Sequence, residues 1–133
     1  TTLSANALSL AAMRATLERV MTPEAYAHME RLAATLAAGL QSAVDRHGLP
    51  WHVVRVGARV EFICAPGPLV NGTEAEAAHA PALERAMHLS LLNRGCLIAP
   101  FHNMMLVSPV TSDAQVAKLC SAFDEAAGRL THD

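Results

Sequence analysis

The sequence predicts a mixed α/β domain of the α+β type, in which helices cover a small, mainly antiparallel sheet in the order ααββαββα. Apolar residues recur at helical spacing in four segments, and two pairs of short apolar runs lie among them. The chain has 133 residues, a length that suits one hydrophobic core. Its composition is 52% hydrophobic but only 4% aromatic, which is typical of helices packed closely on a small sheet.

Two helices are predicted at the start of the chain. Ser4–Met21 is apolar on nearly every side, and a helix of this kind needs cover on several sides. Residues 22–24 (Thr-Pro-Glu) supply an N-cap, a proline for the first helical position and an acid for the first turn of the second helix. Its apolar stripe runs from Met29 to Val44, and His47 with Gly48 ends it.

Two pairs of strands are predicted after the second helix. Trp51–Val56 and Val60–Cys64 are short β-type runs with a glycine between them, which favours a hairpin. Residues 65–72 contain three Gly or Pro turn pairs and are predicted to form a loop. Cys96–Ala99 and Met104–Ser108 form the second predicted pair, on either side of a proline turn.

Two further helices complete the predicted domain. Pro81 suits the first turn of the third helix, because a proline inside a helix costs about 3 kcal/mol or more; Gly95 follows the end of this helix. Ser112 and Gln115 have the spacing of a capping box and predict the start of the last helix. Its apolar face is expected to include Val116, Leu119, Cys120, Phe123 and Leu130.

Charge and hydropathy argue against two classes of partner. The formal net charge is -2 and no block of Lys or Arg occurs, whereas nucleic-acid binding needs a basic surface. The least charged stretch, Thr1–Met13, is followed at once by Arg14 and is too short to cross a bilayer. It also lacks the basic start of a signal peptide. We therefore expect neither nucleic-acid binding nor membrane insertion.

The cysteines and histidines predict neither disulfides nor a metal site. Cys64, Cys96 and Cys120 are widely spaced among apolar neighbours, which favours buried free thiols in a reducing, cytoplasmic compartment. The seven histidines do not fall at metal-ligand spacing with a carboxylate or cysteine.

No self-contained active site is recognisable. The common nucleophile, phosphate-binding and zinc-protease motifs do not occur. Glu74 and Glu76 are predicted to flank a loop, and Asp124 and Glu125 to lie on the outer face of the last helix, all as solvated charges. Lys118 is the only lysine, and its position predicts the polar, solvated side of the same helix.

Several segments, in order along the whole chain, resemble the C-terminal third of class-III aminotransferases. Residues 1–7 (Thr-Thr-Leu-Ser-Ala-Asn-Ala) are similar to a family Gly-Thr-Leu-Ser-Gly-Asn-Pro motif. Residues 91–95 (Leu-Leu-Asn-Arg-Gly) are similar to the family's Leu-Leu-x-Arg-Gly. Residues 107–113 are similar to its Ser-containing entry into the last helix. The chain is identified as a member of this family, close to glutamate-1-semialdehyde aminomutases.

The resemblance implies a pyridoxal 5'-phosphate enzyme whose active site this chain cannot complete. In the family, a lysine forms a Schiff base with the cofactor and an aspartate pairs with its pyridinium nitrogen. Both belong to a large domain upstream, so no catalytic residue is expected in this chain and Lys118 is not a substitute. Thr2 matches the threonine that contacts the cofactor phosphate of the neighbouring subunit, which implies a homodimer.

The resemblance also implies a substrate-side role for the turn at residues 100–103. His102 and Asn103 are the candidate residues for lining the substrate pocket. The turn lacks the acidic residue common in the aminomutases, so an ordinary amino-acid or β-amino-acid transaminase remains an alternative.

The domain organisation follows from the same resemblance. Residues 1–21 are expected to link to the large domain and pack on it, and residues 22–133 to form the small domain. The parent would transfer amino groups between an amino acid and a keto acid or within a semialdehyde, while the isolated chain would be inactive. Two alternatives stay open: a free-standing α+β binding or dimerisation module, and a homologue without activity.

Overall fold

Five helices and three strands make up the described part of the chain. A computed structural model describes residues 6–99 and 103–130. The elements are α1 (Ala7–Arg19), α2 (Pro23–Arg46), β1 (His52–Val56), β2 (Arg59–Ile63), α3 (Gly72–Ala77), α4 (Pro81–Asn93), β3 (Met104–Leu106) and α5 (Asp113–Arg129). This is an α+β fold with a small antiparallel sheet, which confirms the predicted class.

The starts of the two long helices follow the sequence signals. The Thr22 side chain accepts a hydrogen bond from the Ala25 N–H at 3.3 Å, and Pro23 occupies the first turn of α2. At α5, the Ser112 Oγ accepts from the Gln115 N–H, and the Gln115 Oε1 accepts from the Ser112 N–H at 2.8 Å. These bonds satisfy backbone donors that a helix start leaves free.

The sheet has the strand order β1-β2-β3, and both pairings are antiparallel. Val53 lies opposite Phe62, and Val60 lies opposite Met105. Residues directly opposite one another share a face, so Val60, Phe62 and Met105 all point to the helices, where they are buried. Gly57, with φ +56°, provides the positive φ that a two-residue hairpin turn needs.

The core lies between this sheet face and the two long helices. Phe62 of β2 and Phe123 of α5 are completely buried, with their ring centroids 5.1 Å apart in an edge arrangement. Trp51 stacks on Phe62 at 5.8 Å. The buried residues of α2 are Met29, Leu32, Ala33, Leu36, Leu40, Ala43 and Val44.

The predicted second strand pair is wrong in part. Only Met104–Leu106 is a strand, and it pairs with β2 rather than with Cys96–Ala99. The N–H of Cys96 is instead bonded to the Leu91 carbonyl at the end of α4. One bond, from the Ala99 N–H to the Met104 carbonyl at 3.0 Å, is the backbone link between the two predicted strands in the described part of the chain.

The short helix α3 was not predicted, and the surroundings of Glu74 and Glu76 are therefore different from those expected. Both lie within α3 and do not flank a loop. The Asn71 side chain caps α3 by accepting from the Glu74 N–H at 2.9 Å, and Glu74 accepts in return from the Asn71 side chain and the Val70 N–H. Local side-chain bonds of this kind make a short helix out of a segment rich in turn residues.

Two predicted helix boundaries also need correction. Helix α1 ends at Arg19, two residues before the predicted end at Met21, and none of its residues is buried. Leu130 is 40% exposed and caps the end of α5, so it does not belong to the buried face of that helix.

Helices α2 and α5 are in close contact at Gly39. A Cβ atom at this position would lie 2.5 Å from the Cys120 Sγ and 3.3 Å from the Cys120 Cβ. We predict that Gly39→Ala lowers the free energy of unfolding by about 1 kcal/mol, because overpacking costs about 1–3 kcal/mol and outweighs the helix propensity gained. In a Cys120→Ala background the clash is relieved, so the same change should be neutral or stabilising.

Urea denaturation of the four proteins of this double-mutant cycle tests the contact. Gly72→Ala is the control, since a Cβ there meets nothing within 4 Å. Equal effects of Gly39→Ala in the two backgrounds would contradict the steric explanation.

Candidate functional site

Lys118 is exposed on α5, and its ammonium group has one weak contact. Its Nζ donates to the carbonyl oxygen of Gly95, the residue after the α4 C-cap, at 3.4 Å. A lysine used for Schiff-base chemistry is normally sheltered or next to another cation, because desolvation lowers its pKa. Lys118 has neither kind of environment, as its position in the sequence predicts.

Two carboxylates of α5 form ion pairs at the surface. Asp124 accepts from the Arg46 guanidinium at 2.6 Å and from the His47 Nε2 at 3.0 Å. Glu125 accepts from the Arg94 Nε at 3.0 Å. Both carboxylates keep access to solvent, as predicted, but the sequence did not show that the ends of α2 and α4 bring cations to them.

Arg31 forms a two-bond pair with Asp113 at the opposite end of α5. The guanidinium donates to the two carboxylate oxygens at 2.7 and 3.1 Å. This hydrogen bonding lowers the pKa of Asp113 and raises that of Arg31. The pair joins α2 to the first turn of α5, where an acid also suits the helix dipole.

Asn103 is the one predicted site residue that the structure describes; Thr2 and His102 lie outside the described residues. Asn103 is 8% exposed and has φ +48°, in the left-handed region. It lines a cleft of about 240 Å³ together with Glu61 and Glu84. We call this cavity the Asn103 cleft.

The two carboxylates of the Asn103 cleft already have partners. Arg59 lies 3.7 Å from Glu61. Glu84 accepts from the N–H of the α4 N-cap residue at 2.9 Å and lies 3.4 Å from the His79 Nδ1. Within the described residues, no group of three or more His, Cys, Asp or Glu side chains could hold a metal ion.

A larger apolar groove of about 800 Å³ lies between residues 95–99, β3 and the first turns of α5. Leu97 and Leu106 line it and are 79% and 67% exposed. Gln115 and Lys118 also line it. Helix α1 is a second exposed apolar surface, with Leu8 80% exposed and Leu17 61% exposed.

Two buried ring nitrogens were not anticipated from the sequence. The His52 Nδ1 donates to the Ala65 carbonyl at 2.8 Å, and the His52 Nε2 is buried without a hydrogen-bond partner among the described residues. The His88 Nδ1 is in the same situation. A Cβ at Gly67 would collide with the His52 ring, so the loop after β2 covers this histidine closely. No sequence signal indicates this contact, which depends on the path of the loop.

The described residues do not fit a complete pyridoxal phosphate site. Such a site needs a sheltered amine, an acid for the pyridinium nitrogen and donors for a phosphate. Lys118 is exposed, and the carboxylates described above already have partners. No sheltered amine is present among residues 6–99 and 103–130.

Comparison with known proteins identifies the domain. No protein-family model matches the chain. The chain is 47% identical to a glutamate-1-semialdehyde aminomutase from Pseudomonas aeruginosa PAO1 whose crystal structure is known, with a TM-score of 0.95 over 98% of this chain and 29% of that one. The chain is homologous to the C-terminal domain of class-III aminotransferases. The resemblance seen in the sequence is confirmed.

Other relatives agree with this family. Glutamate-1-semialdehyde 2,1-aminomutase 2 of Bacillus anthracis is 33% identical over 131 residues, which are 97% of this chain and 30% of that protein. A β-phenylalanine aminotransferase from Variovorax paradoxus shares the fold, with a TM-score of 0.73 and 24% identity over 84% of this chain and 25% of that one. The Pseudomonas protein has also been crystallised in complex with PMP.

The chain spans about 30% of the length of the relatives it matches. Most of an aminotransferase therefore lies beyond the homologous region. No helix within residues 6–99 and 103–130 is both long and apolar enough to cross a membrane.

The thiols of Cys64 and Cys120 are predicted to react slowly. Burial, with a smaller contribution from the negative charge of Glu84, raises the pKa of Cys64 to about 12. Burial also raises the pKa of Cys120. At pH 8 on the order of 10⁻⁴ of the Cys64 thiol would be ionised, against about a quarter of an unperturbed thiol. We expect iodoacetamide to label Cys64 at least about 100-fold more slowly in the folded chain than in urea.

Peptide-resolved mass spectrometry of a labelling time course measures this rate. Glu84→Gln is the matched variant: it removes the charge and keeps the burial, so it should restore only a small part of the reactivity. Equal rates in folded and unfolded chains would contradict the buried-thiol assignment.

Proposed function

We propose that the chain serves as the C-terminal small domain of a pyridoxal-phosphate-dependent aminotransferase or glutamate-1-semialdehyde aminomutase. The parent would move an amino group between an amino acid and a keto acid, or within a semialdehyde substrate. The observation that carries the proposal is the 47% identity and TM-score of 0.95 over 98% of the chain. The bound cofactor would supply the electron sink that amino-group transfer needs.

The chain's own side chains support a domain that is inactive alone. Its only lysine, Lys118, is exposed and hydrogen-bonded to a helix-end carbonyl. An exposed, strongly hydrated ammonium of this kind lacks the sheltered surroundings in which lysines act as nucleophiles. The reactive lysine and the acid that holds the pyridinium nitrogen would therefore come from the rest of the polypeptide.

Helix α1 supports the proposed contact with the rest of the enzyme. A 13-residue helix is marginal in water on its own, and α1 buries none of its residues against the described chain. Leu10, Met13, Leu17 and Val20 form a stripe at helical spacing, each about half exposed. We place the boundary of the small domain after residue 21 and assign residues 1–21 to packing on the large domain.

Further features of the parent belong to the same proposal. Thr2 would donate to the cofactor phosphate of the neighbouring subunit of a homodimer, because charge-assisted bonds to phosphate are strong. The turn at residues 100–103 would border the substrate, with His102 and Asn103 as its candidate residues. We propose a cytoplasmic enzyme. The names of the relatives favour an aminomutase, and the turn's lack of an acid favours a transaminase.

The main alternative is a free-standing binding or dimerisation module, and one observation favours it. The apolar groove of about 800 Å³ is large enough for a ligand or a peptide side chain. A self-sufficient module would, however, leave α1 uncovered. The behaviour of α1 therefore separates the two proposals.

The activity of the full-length polypeptide tests the first proposal. With pyridoxal phosphate it should convert glutamate-1-semialdehyde or transfer an amino group from an amino acid to a keto acid, and the 133-residue chain should do neither. Lys118→Ala in the full-length protein is the control and should leave turnover and cofactor absorbance unchanged. A borohydride-reducible adduct on Lys118 in the isolated chain would refute the proposed division of roles.

Self-association of the isolated chain tests the role of α1. We expect oligomers in sedimentation velocity, because exposed apolar surface associates in water. Leu10→Gln with Leu17→Gln should shift the chain toward monomer while changing the free energy of unfolding by less than about 0.5 kcal/mol. Leu89→Gln with Leu92→Gln, two similarly exposed leucines of α4, is the matched control. A monomeric wild-type chain with slow amide exchange in α1 would support the module instead.

A further inference from the structure

A chemically labile Asn-Gly pair lies at the start of helix α3. Asn71 is the N-cap of this helix, and Gly72 is its first residue. Of the asparagines in the sequence, only Asn71 is followed by glycine. Both residues are exposed, and a Cβ at Gly72 would meet nothing within 4 Å, so water reaches the pair. Asparagine is one of the less durable side chains, because the backbone nitrogen of the next residue can attack its amide carbon.

This attack leads to deamidation, and a following glycine favours it. The Gly72 nitrogen loses its proton to water and forms a bond to the Asn71 Cγ. The bond from Cγ to Nδ2 breaks, and the amide nitrogen leaves as ammonia with a proton from water. Water then opens the cyclic imide at either of its carbonyls, which gives aspartate or isoaspartate. Ring closure requires backbone conformations that glycine adopts more readily than residues with a Cβ.

In the folded chain, Glu74 restrains the Asn71 amide. The Asn71 Oδ1 accepts from the Glu74 N–H at 2.9 Å, and the Asn71 Nδ2 donates to the Glu74 Oε1 at 2.8 Å. The other carboxylate oxygen of Glu74 accepts from the N–H of Val70, which precedes Asn71, at 2.9 Å. An amide held at both of its polar atoms is not free to turn its carbon toward the Gly72 nitrogen. The reaction therefore waits until the cap opens.

The cap is expected to open readily, because α3 is a weak helix. Helix α3 has six residues, and none of them is buried. A helix shorter than about 12–15 residues is marginal in water unless packing holds it. Openings of such a segment cost little free energy and do not require the domain to unfold. The Asn71 amide is therefore released repeatedly in the folded chain.

We propose that Asn71 is a site of deamidation in the folded chain, that Glu74 limits the rate through the α3 cap, and that the product weakens this cap. Both products replace the NH₂ donor with a carboxylate beside the carboxylate of Glu74. Isoaspartate also adds a carbon to the main chain, which breaks the cap geometry. Ala75 and Ala78 line the Asn103 cleft, so a weaker α3 loosens one wall of that cleft. The reaction needs no cofactor or substrate and is independent of the proposed function.

Ageing of the folded chain and three variants at mildly alkaline pH tests the proposal. Peptide mass spectrometry measures deamidation at Asn71, with the peptides of Asn6 and Asn93 as internal references. We expect Gly72→Ala to slow the reaction by about tenfold, because alanine reaches the required conformations less readily. Glu74→Ala should accelerate it by about fivefold, since that is the rate effect of losing a typical cap. Glu76→Ala is the matched control: it removes an acid of the same helix that takes no part in the three side-chain bonds of the cap.

The same proteins aged in urea separate the cap from other effects. The wild type and Glu74→Ala should then react at nearly equal rates, and an acceleration that persists in urea would overturn the role of the cap. A folded wild-type chain in which Asn71 reacts no faster than Asn6 and Asn93 would overturn the site itself. Deamidated chain, separated by ion exchange, should show faster amide exchange in α3 than native chain. Unchanged exchange would contradict the weakening of the helix.

Discussion

The close crossing of α2 and α5 is the contact on which the other elements depend. Gly39 permits it, since the Cys120 side chain occupies the space where a Cβ would lie. One turn further along α5, Phe123 meets Phe62 and Trp51, so the spacing of the two helices also sets the distance to the sheet. The ion pairs of Arg31 with Asp113 and of Arg46 with Asp124 hold the same two helices together.

The burial of apolar surface is very uneven along the chain. Helix α2 buries seven residues and α5 buries five, whereas α1 buries none. At about 1.5–3 kcal/mol for each large apolar side chain removed from water, the core is sufficient to hold α2, α5 and the sheet together. The Asn6 cap and the exposed Arg14–Glu18 pair of helix α1 are local, and each contributes a few tenths of a kcal/mol to about one. The proposed large domain would cover the apolar stripe of this helix.

The sequence predicted those features that depend on neighbouring residues. The capping box of Ser112 and Gln115, the proline starts of α2 and α4, and the hairpin at Gly57 are all local, and the structure has each of them. The strand pairing of Cys96–Ala99 was wrong because pairing depends on which backbone groups are free. The N–H of Cys96 donates to the carbonyl of Leu91. Met104–Leu106 pairs with β2 at all three of its residues. Helix α3 was missed although Asn71 and Glu74 have the spacing of a capping pair.

The site was predictable to a smaller extent, because its properties depend on long-range contacts. The exposure of Lys118 followed from its helix position. The burial and left-handed φ of Asn103 did not, since they arise from the register of β3 on β2. The partners of Asp124 lie at the end of α2, and one of them, His47, precedes it by 77 residues in the sequence. No local pattern indicates such a distant contact.

These contacts also explain why the domain has little chemistry of its own. Active sites combine burial with unbalanced charge, so that proton affinities shift toward the working pH. In the described residues the partly buried carboxylates Glu61, Glu84 and Asp124 have cationic or N–H partners. Burial raises the pKa of the Cys64 and Cys120 thiols and so keeps them protonated. The side-chain ammonium of Lys118 is exposed. A domain with these properties can contribute to a reaction through shape. The exposed apolar surfaces of α1 and the groove are the features by which it would do so.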